Sequence, residues 1–331
     1  MTAATWIATG LVLGVGVPWL GMRMLAPSLD ASPPRTNFRG REVHLGLGVV
    51  WVLWAGGAMA ASLLLASAQA GPSPVGLLIL AGPLALAVFA LGLIDDALGS
   101  PDDRGFGGHT RALAKGRLTT GMLKLLGISA ASLVVAGIVS GFAPWGRAAG
   151  GSLLARVGLT VLAGAAIALT SNLLNLLDLR PGRALKSYSV LAIFGVLGAV
   201  TAWPNVPGVG PLPATSLAAG AAMLALFALG PVVAVWREDV GERAMLGDAG
   251  ANPAGAVAGL FVVAALPVWG LAAFAALVLA LNLASEKWSF SRVISANPLL
   301  SYLDGLGRLP ADDPASHNSV KTSPQSQSSD G

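Results

Sequence analysis

Nine apolar runs of about twenty residues constrain this chain more than any other feature, because that length crosses a ~30 Å hydrocarbon layer as a helix. They lie near residues 4–22, 45–68, 74–94, 122–141, 153–171, 187–203, 214–236, 249–267 and 269–284. In lipid every backbone polar group must be bonded within the protein, so such runs become helices. The expected fold is all-α, a polytopic membrane helix bundle of about nine transmembrane helices. Charged residues make up only 11% of the chain, against roughly 25% in a soluble domain. Several runs are rich in Gly and Ala, which lets helix backbones approach closely in lipid. No fixed-period or inverted repeat is evident. The first run has no basic segment before it and no small-x-small cleavage site after it, so it is expected to be retained as a helix.

The placement of charge orients the bundle. With the N-terminus outside, 18 of the 20 Lys and Arg residues fall on the inner side, leaving only Arg147 and Arg156 outside. That asymmetry follows the positive-inside rule and puts the C-terminal tail in the cytoplasm. All 16 Asp and Glu residues also fall inside, which the rule does not require. Trp6, Trp145, Trp203 and Trp269 fall at outer helix ends, where an aromatic belt is expected. Three parts follow: a bundle over 1–285, a segment over 286–309 and a tail over 310–331. In the middle part Trp288, Phe290, Val293, Ile294, Leu299, Leu300 and Leu303 recur at near-helical spacing. Either an interfacial amphipathic helix or a helix packed on the inner loops would show that spacing. The tail is rich in Ser, Gln, Asp and Pro and is expected to be disordered.

Four inner segments carry residues suited to chemistry. Asp95 and Asp96 stand where the third span reaches the inner surface. A helix C-terminus disfavours carboxylates, so two adjacent ones call for a compensating cation or base. Neighbouring helical side chains point about 100° apart, so one of the pair can face a metal while the other faces a substrate. A solvated turn is the plain alternative. In "SNLLNLLDLRPGRALK", Asn172, Asn175 and Asp178 drift around one side of a helix, with Arg180, Arg183 and Lys186 following. Amides, a carboxylate and cations together suit a phosphate-bearing ligand with a divalent ion. Amide bonding between helices followed by a topological anchor is the other reading. Asp248, in "EDVGERAMLGDAGANPAG", precedes the eighth span at a helix N-terminus, where anions including phosphate are favoured. An N-cap would look the same. The loop from Pro101 to Lys124 holds Arg104, His109, Arg111, Lys115, Arg117 and Lys124. So basic a cluster attracts anionic headgroups or a nucleotide diphosphate, unless it serves topology alone.

Other chemistries are excluded or disfavoured. Without cysteine there is no disulfide or thiolate metal site. No P-loop or HExxH motif occurs, and His44, His109 and His317 are too scattered for a His-ligated metal. A metal here would be held by oxygen, which points to Mg²⁺ or Mn²⁺. Nothing points to nucleic acid.

At these residues the chain resembles the polyprenyl-phosphate N-acetylhexosamine-1-phosphate transferase superfamily. The likeness covers roughly residues 1–290 and rests on three motifs in family order on one membrane face. They are the Asp95-Asp96 pair, the NxxNxxD stretch at Asn172, Asn175 and Asp178, and GDxG at Gly247-Asp248-Ala249-Gly250. The resemblance implies transfer of a sugar-1-phosphate from a UDP-N-acetylhexosamine donor to a polyprenyl phosphate drawn from membrane lipid, with release of UMP. It implies a site on the cytoplasmic face of a bacterial cytoplasmic membrane, serving cell wall or polysaccharide biosynthesis. Asp95, Asp96 and Asp248 would be catalytic, with Asp248 and Asp178 holding Mg²⁺. Asn172, Asn175, Asp178, Lys124, Lys115 and Arg183 would bind substrate, Lys124 meeting the diphosphate or the uracil. A homodimer is compatible with the sequence.

The chain departs from the family after the last span. It reads "EKWSFSRVISANPLLSYLD" where members of the muramoyl-pentapeptide type carry a His-rich loop and a tenth helix. It also reads "DLRPGRA" where many members carry a Gly-Asp-Gly run. Both differences argue against the muramoyl-pentapeptide substrate. The alternative is a member that has lost turnover and binds polyprenyl phosphate or a partner enzyme. A transporter fits less well, since its polar residues would lie near the bilayer midplane.

Overall fold

The computed structural model describes residues 2–31, 34–66, 74–99, 105–202 and 214–309. Arg104, Trp203 and the tail after residue 309 lie outside the described residues. Among those described, nine helices are long and apolar enough to cross a membrane. They are Ala3–Asp30, Leu47–Leu65, Gly76–Leu98, Thr120–Val139, Leu153–Leu177, Arg183–Ala202, Leu217–Val240, Gly247–Ala265 and Val268–Ser285, called spans one to nine below. The chain is an all-α polytopic membrane bundle, as its apolar runs require.

Span eight is the axis. Its window is 89% buried, against 22% for span nine. Its sequence, GDAGANPAGAVAGLFVVAA, has few side chains large enough to hold neighbours away. A Cβ added at Gly255 would stand 2.4 Å from the Thr170 carbonyl oxygen of span five. One added at Gly92 of span three would stand 2.4 Å from the Asp248 carbonyl oxygen. Spans three and five thus approach span eight backbone to backbone, the small-residue packing that membrane helices use in place of a hydrophobic driving force. Span one packs on span seven in the same way. Its Gly10–Gly16 segment widens into a π-helix, and Gly14 meets Gly230 closely enough to exclude any side chain at Gly230.

Three tryptophans tie helices through their indole N–H groups. Trp51 donates to the Gly250 carbonyl at 2.8 Å, Trp54 to Phe227 at 2.7 Å and Trp145 to Val263 at 3.0 Å. A buried indole needs such a partner. The expected aromatic belt is corrected here. Trp6 and Trp145 are 2% and 0% exposed and belong to the core, whereas Trp269, 76% exposed, keeps the belt position.

The helices run past their apolar stretches at one end of the bundle, called the charged end below. Span one continues to Asp30, span three carries Asp95 and Asp96 in its last turn, and span six begins at Arg183. The end also holds a small sheet that the apolar pattern does not announce. Strand β1 (Pro34–Thr36) pairs antiparallel with β2 (Glu42–Leu45), which pairs parallel with β3 (Ala244–Met245). The sheet fastens the connection after span one to the chain just before span eight. After span nine come two short helices, Phe290–Ala296 and Pro298–Gly305.

Candidate active site

Span eight begins at Gly247, whose φ of +63° suits a residue without Cβ. Its first N–H groups, which no helix can satisfy internally, are capped from other spans. Gly247 donates to Asp178 Oδ2 at 3.1 Å. Asp248 and Ala249 donate to Asp96 Oδ1 and Oδ2 at 3.1 and 2.8 Å. Carboxylates at a helix N-terminus are favoured by the exposed donors and the dipole. Asp248 is therefore not the N-cap of its own helix. The anion at this N-terminus is supplied by Asp96 and Asp178, which corrects the expectation of an open phosphate cradle there.

Freed from capping, the Asp248 carboxylate turns to Lys124, which enters from the first turn and a half of span four. Lys124 Nζ also pairs with Asp95 Oδ2 at 2.6 Å. Asp95 and Asp248 lie within hydrogen-bonding reach of each other, and Thr120 reaches Asp95 as well. One ammonium thus serves two carboxylates from different helices, all three mostly buried. Adding Asp96, the cluster holds three acids and one cation among the described residues, the Arg35 guanidinium reaching the Asp96 carbonyl at 3.3 Å. Such an excess of negative charge in a low-dielectric site calls for a proton or a further cation.

Asp178 lies behind Gly247, at the end of span five. Burial, and then the neighbouring Asp239, push its carboxyl well above the ordinary carboxylate range. It also faces a cleft of about 310 Å³ lined by Phe38, Arg180, Asp239, Glu242 and Met245, among others. The Arg180 guanidinium sits 4.0 Å from the Phe38 ring centroid. Asp239 is held by the Gly182 N–H at 2.6 Å, and Glu242 pairs with Arg39 at 3.3 Å. Among these, Asp239, Glu242, Phe38 and Thr120 were not singled out from the sequence. The acidic run "REDVGE" was the available signal for the first two.

The remaining sequence candidates stand elsewhere. Asn172 donates to Asn282 Oδ1 of span nine at 2.7 Å, the helix–helix amide bond that was its plain alternative. Asn175 is half-buried, and its carbonyl accepts the Asp178 N–H at 3.1 Å. Lys115 is exposed on the connection before span four. Arg183 is buried and wholly engaged. It forms a two-pronged pair with Asp304 at 2.9 and 2.8 Å and donates to Ser291 at 3.0 Å. It docks the C-terminal helices, and none of its contacts reach Asp95 or Asp248.

Among the described residues no three acidic or histidine side chains form a ready-made metal cage. The donors nonetheless suit Mg²⁺, which is bound by one or two carboxylates and completes its shell with water and substrate phosphate. No protein-family model matches the chain, and no curated protein matches it in sequence.

Proposed function

We propose that the chain is a Mg²⁺-dependent phosphoglycosyltransferase. It transfers a sugar-1-phosphate, N-acetylhexosamine-1-phosphate by the resemblance, from a UDP-sugar to a polyprenyl phosphate and releases UMP. In this reading the charged end faces the cytoplasm, which the Lys and Arg asymmetry supports, and the resemblance makes the cell a bacterial one. One observation carries the proposal: Asp95, Lys124 and Asp248, from three spans, meet at the charged end, which this reading takes as the membrane boundary, beside the Asp178 cleft. A water-soluble nucleotide and a membrane-dissolved phosphate can reach each other only at such a boundary.

In the reaction an oxygen of the lipid phosphate attacks the sugar-bearing phosphorus. A new P–O bond forms, the diphosphate bridge breaks, and its oxygen leaves with UMP. The obstacle is repulsion between two anions, so positioning and charge neutralisation supply the catalysis. Lys124 offers a fixed ammonium to one phosphate. Asp248 and Asp178 would hold the divalent ion, with Asp95 at hand. The ion's contribution, when bound, is to offset charge on the transferring and leaving oxygens. Asp96 acts as a positioning residue, because both its oxygens hold the start of span eight.

A second reading draws on the same geometry. Lys124 already bridges Asp95 and Asp248, so a member that binds polyprenyl phosphate without turnover would be stable with this cluster. The test is direct. Purified protein, a polyprenyl phosphate, Mg²⁺ and a panel of UDP-sugars should yield UMP with at least one donor. Folded protein that releases none from any donor contradicts the transferase and leaves the binding reading.

A further inference from the structure

The two C-terminal helices are held to the protein by part of their polar side chains and leave large apolar ones outside. Asp304 takes Arg183 and Arg308, Ser291 takes Arg183, and Arg308 donates to the Pro181 carbonyl at 2.7 Å. Lys186 caps the second helix through the carbonyls of Leu303 and Asp304 at 3.0 and 2.6 Å. Several large apolar side chains face outward, whereas Phe290 and Ile294 turn partly inward. Trp288, Leu299 and Tyr302 are 62%, 66% and 67% exposed, and Val293 lies on the same outer surface.

This outer surface continues a membrane-facing one. The segment leaves span nine at Ser285, and span nine exposes Leu277, Leu279 and Leu283 along its length. Leu283 and Trp288 are separated by little more than one turn. The anchoring partners, Arg183 and Lys186, stand in the first turn of span six, again where a helix enters the hydrocarbon. Lys287 and Arg292 are exposed beside the apolar side chains. A helix lying in the headgroup layer has this makeup, with apolar groups reaching the acyl boundary and cations near anionic headgroups.

We propose that residues 288–305 form a membrane-surface platform, seated in the headgroup layer of the leaflet at the charged end, with Trp288, Val293, Leu299 and Tyr302 turned into lipid. The protein side clamps the platform by charge and the lipid side holds it by apolar burial. The clamp runs through Pro181 and Arg183, and between them the Gly182 N–H holds Asp239 beside Asp178. The platform is thus tied to the rim of the cleft.

The chain contains no cysteine, so a single introduced one is labelled uniquely. Spin labels at Leu299→Cys and Tyr302→Cys, in vesicles of phosphatidylethanolamine and phosphatidylglycerol, should collide with oxygen in preference to a water-soluble nickel chelate. Their oxygen-to-nickel ratio should fall below that of Leu277→Cys at the middle of span nine and several-fold above that of Glu42→Cys on strand β2. Brominated lipid should quench a fluorescence component of the unlabelled protein that Trp288→Phe removes. Nickel accessibility equal to that at Glu42→Cys, or no quenching of Trp288, would overturn the platform. So would label–label broadening at Tyr302→Cys that disappears on dilution with unlabelled protein, which would assign the surface to a second copy.

Discussion

Two clusters of buried ion pairs occupy the charged end, and they are balanced differently. Around Lys124, one cation faces Asp95 and Asp248, with Asp96 alongside. Around Asp304, two guanidinium groups close on one carboxylate, and their remaining donors go to Ser291 and Pro181. The second cluster has cations in excess: both Asp304 oxygens accept from guanidinium groups, as a structural clamp requires. The first holds three carboxylates against one cation among the described residues. Buried charge is tolerated only when paired. A cluster left short of cations is therefore where a ligand's charge can be accommodated, and one with cations in excess is where the fold is held.

Removing Lys124 should separate the clusters most sharply. Lys124→Met leaves Asp95 and Asp248 facing each other, which should cost about 3–5 kcal/mol, the scale for breaking a buried pair. Thermal unfolding in detergent would show it, and adding Asp248→Asn should recover part of the loss. Arg183→Ala should cost less, about 1.5–3 kcal/mol for charge-assisted hydrogen bonds, because Arg308 remains on Asp304. If Arg183→Ala proves the more damaging, the contrast between the clusters fails. Asp96→Asn keeps one acceptor for span eight's N–H groups, so it should cost about 1 kcal/mol, the scale of a lost cap. An effect as large as that of Lys124→Met would move Asp96 from positioning into the charge balance.

The smallest effect is a pH dependence confined to the clamp. Burial works against ionised Asp304, but hydrogen bonds from Arg183 and Arg308 outweigh it and lower its pKa from 3.8 to about 2. A lowered carboxylate pKa stabilises the folded state above the ordinary value and loses that contribution as pH falls through the folded one. The C-terminal helices should therefore loosen between pH 3.8 and about 2, seen as increased mobility of a spin label at Tyr302→Cys. Arg308→Gln should shift that loosening to higher pH. Loosening that begins well above pH 3.8 in the unchanged protein would assign the clamp to other groups.

The nine spans were legible because twenty apolar residues in lipid have one outcome. Their ends at the charged face were not. Helical hydrogen bonding continues through Asp95, Asp96, Arg183 and Asp239, since each side chain finds its partner on another element or connection. Cross-helix capping of span eight by Asp96 and Asp178 is invisible to local patterns, which made Asp248 look like its own cap. Trp6 and Trp145 sit at helix ends like belt residues, but small neighbours let them pack inward. Strands of two to four residues have too few positions to show an alternating pattern, so the sheet was missed. Arg183 follows Asp178 so closely in sequence that it was grouped with the site, yet it turns to Asp304 instead. What the sequence did expose was a set of residues, Asp95, Asp96, Lys124, Asp178 and Asp248, that the fold brings to one end of the bundle.

The most direct measurement compares Mg²⁺-dependent UMP release by Asp95→Asn and Arg183→Ala side by side, each at equal folded concentration. Loss of a group that serves the transferring charge should lower the rate by about 10²-fold or more in Asp95→Asn, with Arg183→Ala keeping a rate close to that of the unchanged protein. Unimpaired release by Asp95→Asn would contradict the account.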